Sequence, residues 1–156
     1  MKLTNPYGRL ALIGSITLLL CQSLSAQEKK ITAKDVPAAV INAFKTAYPN
    51  AIIRGYAREK EHGKTFYEIE SREGTTGRDV LYHPDGTVAE VEETIAANDL
   101  PAAAREMIHA RHPQAVITKV EKTTVGDKVT YEVSARQGRR RFSLEFDSSG
   151  KVMKGK

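Results

Sequence analysis

The sequence predicts an α+β fold, built as a tandem duplication of one helix followed by a four-stranded antiparallel meander. Residues 35–88 align on residues 99–152 without a gap, and 14 of the 54 paired positions are identical. Within each copy the apolar spacing changes from a helical period to strict alternation, and glycine-containing turns divide the alternating part. We expect the helices on one face of the sheet and the other face open to water.

A helix of about twelve residues is expected at the start of each copy. Apolar side chains recur there at helical spacing, namely Val36, Val40 and Phe44 in the first copy and Leu100, Ala104 and Ile108 in the second. Asp35 and Asp99 are the predicted N-caps. The helices should end before Pro49 and Pro113, because the residue preceding a proline is pushed out of the α region.

After each proline the sequence alternates as a half-buried strand does. Tyr67 and Ile69 are expected on the core side, and Phe66, Glu68 and Glu70 on the opposite side. Turn residues divide each copy into four predicted strands, near 51–60, 64–72, 78–83 and 87–95 and then near 115–124, 128–136, 140–147 and 150–154.

These features together resemble the PepSY-like family of small exported bacterial proteins. The motifs that carry the resemblance are the VPAA and LPAA helix starts, the helix-ending prolines, the Tyr-Glu strands at Tyr67 and Tyr131, and the hairpin glycines Gly86 and Gly150. The resemblance covers residues 31–156. It implies a fold like that of β-lactamase-inhibitory protein, with an open sheet face that could grip a partner.

The first 26 residues are predicted to be a secretory signal peptide. Lys2 and Arg9 precede an apolar run at 11–20 that is too short to span a bilayer, and small residues follow it. We expect cleavage after Ala26 and a periplasmic or secreted location. The alternative, lipidation of Cys21, is disfavoured because Leu20 rather than a small residue precedes the cysteine. The chain then divides into a first repeat at 27–98 and a second at 99–156.

The two repeats differ in charge. Residues 27–98 hold 10 basic and 12 acidic residues, a net charge of −2, and residues 99–156 hold 12 basic and 7 acidic residues, a net charge of +5. A basic chain can bind nucleic acid, but basic residues interleaved with aromatics do not occur here, and nucleic acid is not expected outside the cytoplasm. We expect neither a nucleic-acid partner nor stable membrane insertion of the mature chain.

Motifs for catalysis, cofactor binding or metal binding are sparse. The sequence contains no nucleophile elbow, phosphate loop or dinucleotide fingerprint, so we predict neither enzymatic activity nor a cofactor. Glu106, His109 and His112 follow one another at spacings of three and are weak candidates for a zinc site. Solvated helix surface is the preferred interpretation, because the matching residues of the first copy are Asn42, Lys45 and Tyr48.

Partner recognition is the function that remains. Phe66 and Tyr56 are expected to share the open face with Glu68, where exposed aromatic side chains are typical of recognition sites. The alternative is that these rings are buried under elements of the other repeat. Glu68 and Glu70 are expected to form surface ion pairs with neighbouring basic residues such as Lys64 and Arg72. Three arginines at the start of a strand are further candidates, either for binding an anionic group or for protecting a strand edge: Arg139, Arg140 and Arg141.

The sequence therefore predicts an exported, non-enzymatic protein that recognises an envelope protein or peptide through its open sheet face. Inhibition of an envelope enzyme would be one form of this activity. The alternative is a binder or sensor of a small ligand or metal ion at the cell envelope.

Overall fold

The fold consists of two helices and nine strands, seen in a computed structural model that describes residues 28–155. The helices are α1 (Ala38–Ala47) and α2 (Ala102–Arg111). The strands are β1 (Lys29–Lys30), β2 (Ile52–Glu61), β3 (Lys64–Glu73), β4 (Thr76–Tyr82), β5 (Val88–Thr94), β6 (Val116–Val125), β7 (Lys128–Gln137), β8 (Arg140–Asp147) and β9 (Val152–Gly155). The signal peptide, its cleavage after Ala26 and the Cys21 alternative lie outside the described residues.

All nine strands form one antiparallel sheet, in which the spatial order follows the chain order from β1 to β9. The two predicted meanders are therefore joined edge to edge. At this seam Val91–Thr94 of β5 pair with Glu121–Thr124 of β6. Neither helix in the described part of the chain is long and apolar enough to cross a bilayer.

The second repeat reproduces the first at an offset of 64 residues. The offset relates α1 to α2, and it relates β2 and β3 to β6 and β7. Even the irregularities recur, since the pairing shifts between Ile53 and Gly55 in one repeat and between Ile117 and Lys119 in the other. The predicted α+β tandem fold is confirmed.

Each helix covers its own hydrophobic cluster on the same side of the sheet. The first cluster consists of Val36, Val40, Phe44, Ile69, Val80 and Tyr82. The second consists of Leu100, Ala104, Ile108, Val120, Val133 and Phe146. Tyr67 and Tyr131 are partly buried at equivalent places against these clusters, so the strand alternation was predicted correctly.

The predicted helix starts were wrong. Pro37 and Pro101, not Asp35 and Asp99, occupy the N-cap positions, and each helix has ten residues. Asp35 instead ends a 3₁₀ turn, where its carboxylate accepts hydrogen bonds from the backbone N–H and the hydroxyl of Thr32 at 3.1 and 2.7 Å. The chain therefore makes a short turn before each helix, and the apolar spacing alone did not reveal it.

Candidate partner-binding face

The cross-strand register assigns each strand residue to one of two faces. Ile69 of β3 lies opposite Tyr56 and Val80, on the side of the hydrophobic clusters. Glu68 lies opposite Leu81, on the other side. We call the side of the sheet opposite α1 and α2 the open face.

Carboxylates fill the open face of the first repeat. A hollow of about 430 Å³ is lined by Glu59, Glu61, Glu68, Asp79, Leu81, Glu90 and Glu92. Glu70 lies directly opposite Asp79, which in turn lies opposite Glu92. We call these eight residues the acidic hollow. It holds seven of the twelve acidic residues of 27–98, so the negative charge of that repeat is concentrated on one face.

Little positive charge offsets the acidic hollow. Within residues 28–155, no ion pair joins a lysine or arginine to one of its carboxylates. Lys119 of β6 approaches it, but its ammonium group is paired with Glu121. The ion pairs expected for Glu68 and Glu70 do not form. The Arg72 Nε–H donates to the carbonyl oxygen of Gly74 at 2.9 Å instead, and Lys64 lies opposite Glu61.

Burial and repulsion raise the pKa values of four carboxyl groups of the acidic hollow, namely those of Glu68, Asp79, Glu90 and Glu92. Partial burial, together with repulsion from Glu59 and Asp79, raises the pKa of Glu68 to about 8. Partial burial and the contact with Glu121 raise the pKa of Glu92 to about 7. Burial is also the main cause that raises the pKa values of Asp79 and Glu90. Part of the acidic hollow therefore holds protons at neutral pH.

A glycine on the neighbouring strand makes room for one of the carboxylates. A Cβ atom at Gly55 would lie 2.9 Å from Oε2 of Glu70, so this carboxylate rests against the backbone of β2. In the second repeat the offset of 64 places Lys119 and Ser134 at these two positions. The close approach of a carboxylate to a glycine is thus confined to the first repeat.

The acidic hollow has no equivalent in the second repeat, although the backbone is repeated. Glu68 alone keeps its carboxylate there, as Glu132. The counterparts of Glu59, Glu61, Glu70 and Asp79 are Thr123, Val125, Ser134 and Ser143. The fold does not require carboxylates at these positions, since the second repeat forms the same strands without them.

The two aromatic candidates are placed differently from the prediction. Phe66 is on the open face, but its ring is only 8% exposed and lies 5.1 Å from the ring of His83. Tyr56 is not on the open face, because it pairs with Ile69 and packs against the first hydrophobic cluster. Neither ring is therefore an exposed aromatic of the open face, and His83, which contacts the Phe66 ring, belongs to the same repeat as Phe66.

The three arginines are exposed but lie far from Glu68 across the sheet. Arg139 lies in the turn between β7 and β8, Arg140 pairs with Gln137, and Arg141 pairs with Arg136 on the open face. Strands β4 to β7 separate β8 from the β3 strand that carries Glu68 and Phe66. The structure therefore brings Glu68 and Phe66 together and leaves the arginines at the far end of the sheet.

The weak metal candidates lie on α2 and at its C-terminal end. The ring of His112 stacks on Phe142 at 4.5 Å between centroids, and Glu106 and His109 are exposed. In the part of the chain that the structure describes, no three His, Cys, Asp or Glu side chains are placed to hold a metal ion.

A polar cluster lies on the helix side of the sheet, near the seam. The Arg78 guanidinium is 4.1 Å from the centroid of the Tyr48 ring, and its Nε–H donates to Glu93 at 2.8 Å. Arg78 and Glu93 also line a cleft of about 610 Å³ at the junction of the repeats. In the second repeat the residues at these two positions are Phe142 and His112. The cation–π contact of the first repeat is thus replaced by a contact between two aromatic rings.

Tyr82, whose counterpart is Phe146, offers a test of this core. Both rings are 0% exposed, and within residues 28–155 the Tyr82 hydroxyl has no hydrogen-bond partner. Tyr82→Phe should therefore stabilise the protein, by about 1–2 kcal/mol in urea denaturation, because it removes an unsatisfied buried polar group. Tyr131→Phe is the matched control and should change stability little. A loss of stability in Tyr82→Phe would show that the hydroxyl is satisfied.

The profile of one protein family matches nearly the whole described chain, in two segments. This family is described as "Putative beta-lactamase-inhibitor-like, PepSY-like", and it matches residues 22–90 and 73–154. The chain belongs to the PepSY-like family. The first match covers most of the first repeat, and the second extends from the end of β3 through the second repeat of this PepSY-like protein. The resemblance noted in the sequence is confirmed. A search of curated proteins found no match.

Solved structures share the fold of this PepSY-like protein at low sequence identity. A structure from Bacteroides eggerthii, described as "putative periplasmic proteins", has a TM-score of 0.62 and 17% identity, and the match covers 78% of this chain and 88% of that chain. A BLIP-like protein from Bacteroides fragilis has a TM-score of 0.58 and 20% identity, with coverages of 78% and 85%. At these identities the similarity shows the fold alone.

Most of the acidic hollow was not predicted. The strand alternation placed Glu68 and Glu70 on the open face, but the carboxylates of β2, β4 and β5 were not connected with them. The missing signal was the recurrence of acidic residues on the same side of four consecutive predicted strands. Recognising it required the register between hairpins, which brings Glu70, Asp79 and Glu92 into one row.

Proposed function

We propose that this PepSY-like protein is an exported, non-enzymatic binding protein of the periplasm, which recognises a basic protein or peptide through its open face. The observation that carries this proposal is the acidic hollow itself. Within residues 28–155 these carboxylates have no lysine or arginine ion-pair partner, and no other described layer covers the face that carries them. Such a face matches a partner surface rich in lysine and arginine. A partner's cationic groups would relieve the repulsion that the free protein holds there.

The location and the absence of catalysis rest on separate support. The predicted signal peptide favours export, and the similar fold from Bacteroides eggerthii is described as periplasmic. The family description is inhibitor-like, and the fold is shared with a BLIP-like protein. A shallow hollow on a sheet face suits a macromolecular surface, whereas small-molecule sites bury most of the ligand. Inhibition of an envelope enzyme with a basic contact surface is the specific form we favour.

The test compares partner capture by variants of the mature chain. Glu70→Ser with Asp79→Ser introduces the residues that the second repeat carries at these positions, so the strands should be kept. Glu106→Gln with Asp127→Asn removes the same charge from exposed sites outside the hollow. We expect partners from an envelope extract to bind the wild type and the control equally and the double serine variant about tenfold more weakly.

Salt provides the second criterion. The captured partner should elute at about 0.5 M NaCl, where the screening length falls to about 4 Å. Capture that is unaffected by both the serine substitutions and salt would contradict the proposal. A thermal shift with a divalent metal ion alone, reversed by chelator and absent from the serine variant, would favour the alternative of a metal sensor.

A further inference from the structure

The central carboxylates of the acidic hollow form a row across three strands. Glu70, Asp79 and Glu92 are direct cross-strand partners, and neighbouring strands lie about 4.8 Å apart. Like charges placed directly opposite each other are destabilising. The row therefore repels itself whenever all three groups are ionised, and the fold keeps it in place through the backbone ladder.

The groups around the row are mostly acidic as well. Facing it from the same side of the sheet are Glu59 and Glu61 on β2, Glu68 on β3, Glu90 on β5 and Glu121 on β6. Glu28 adds a further negative charge near Glu68. The basic groups on this side are spread around the row. Lys30 lies opposite Ala57, Lys64 lies opposite Glu61, and the His62 ring lies 3.7 Å from Glu61. Arg72, two residues from Glu70, donates to the carbonyl oxygen of Gly74, and Lys119 is paired with Glu121.

Carboxyl groups at such spacing do not ionise independently of one another, because the charge of each changes the pKa values of its neighbours. Protonation of some members removes the repulsion that the others feel, and partial burial favours the neutral form further. The raised pKa values of Glu68 and Glu92, about 8 and about 7, agree with this geometry. A cation brought to the row would have the opposite effect and favour the ionised form.

We propose that the acidic hollow takes up the cationic groups of its partner in exchange for protons that it already holds. In each exchange the O–H bond of a carboxylic acid breaks, the proton passes to solvent, and an ion pair forms between the carboxylate and a lysine or arginine of the partner. This inference rests on the proposed function. It adds that binding tightens as the pH rises through the neutral range and loosens on acidification.

The sign follows from linkage. If binding releases protons, a higher proton concentration opposes it, so the affinity increases with pH as long as the free hollow is protonated. The range is set by the ordinary carboxyl pKa of about 4.3 at its lower end and by the value for Glu68, about 8, at its upper end. Above this range the hollow is fully ionised and the affinity should no longer depend on pH.

Calorimetry with an eight-residue lysine peptide tests the exchange on the full mature chain. Titrations at pH 7 in phosphate and in Tris, whose ionisation enthalpies differ, report the number of protons transferred. We expect the release of roughly one proton per bound peptide. The release should fall by about half in Asp79→Ser, which carries the second-repeat residue, and stay unchanged in Glu106→Gln.

Two outcomes separate this inference from the proposed function. If the peptide binds with equal enthalpy in both buffers, the proton-exchange inference is wrong, but the proposed recognition of a basic partner is not contradicted. Failure of the peptide to bind at all would count against both. A partner-free measurement provides a further check, since the side-chain carboxyl carbons of Glu68 and Glu92 should titrate near pH 7 to 8 in NMR. Titration of both near pH 4.5 would overturn the inference.

Discussion

Expressed separately, residues 27–98 and residues 99–156 should each be largely unfolded, whereas the mature chain should melt in one cooperative step. Each repeat has a single helix over a cluster of only six buried residues. A chain of about 60 residues buries only about 60% of its surface and is marginal for that reason. The sole cysteine, Cys21, lies in the predicted signal peptide, so no disulfide compensates in the mature chain.

The contacts at the seam between the repeats support this prediction. Cutting there leaves β5 and β6 with unpaired edges, and it removes Ile95 and Ala97 from the second cluster, against which they pack. Ile95 also donates its N–H to the carbonyl oxygen of Val120 at 3.0 Å. A fragment of residues 95–156 should therefore be more structured than one of 99–156, although still less stable than the whole.

Calorimetry and circular dichroism of the fragments and of the mature chain provide the test. Two independent transitions in the mature chain, each reproduced by one isolated repeat, would contradict the prediction. The acidic hollow would then belong to a domain that folds alone, because its side chains come only from the first repeat. Unfolded fragments beside a single transition would show that the seam couples the repeats.

Gly86→Ala and Gly150→Ala should each destabilise the protein by about 2–5 kcal/mol. Both glycines have a positive φ, of 88° and 83°, in the turns that precede β5 and β9. They also lie against the first turn of a helix. A Cβ atom at Gly86 would lie 2.8 Å from the carbonyl oxygen of Ala39, and one at Gly150 would lie 2.7 Å from the backbone nitrogen of Ala104.

Gly63→Ala is the matched control for these substitutions. Gly63 has a φ of 77°, but a Cβ atom there would meet nothing within 4 Å. Gly63→Ala should destabilise the protein by only about 1–2 kcal/mol, because its sole penalty is the left-handed backbone conformation of an alanine. Urea denaturation of the three variants isolates the helix contact from the backbone strain. Equal losses in all three would show that the hairpin turns do not need to touch the helices closely.

Sequence periodicity predicted the repeated elements because helices, strands and turns depend on local spacing. The alternation around Tyr67 assigned the two faces of β3 correctly, and the repeated prolines located the helix ends within about two residues. The side on which Tyr56 lies could not be assigned, because the irregularity between Ile53 and Gly55 changes the alternation along β2. The row formed by Glu70, Asp79 and Glu92 depends on the register of two hairpins, which the local spacing of residues does not determine.

The burial of Phe66 escaped the sequence analysis for a different reason. Alternation assigns a side chain to a face, and it does not say whether neighbours on that face shield it. The ring of His83, which follows β4, lies against the Phe66 ring. Side chains that belong to turns can therefore bury a residue on a face that is otherwise wet.

The agreement between spatial order and chain order has a kinetic consequence. Every strand from β1 to β9 is paired only with strands adjacent to it along the chain. Most of these pairings are hairpins, whose formation requires the closure of short loops, and the longest connections are those that contain α1 and α2. Proteins dominated by such local contacts fold faster than sheets that must join distant segments. An unfolded chain with this strand order can thus assemble its sheet one hairpin at a time, with little exposure of unpaired strand edges to aggregation.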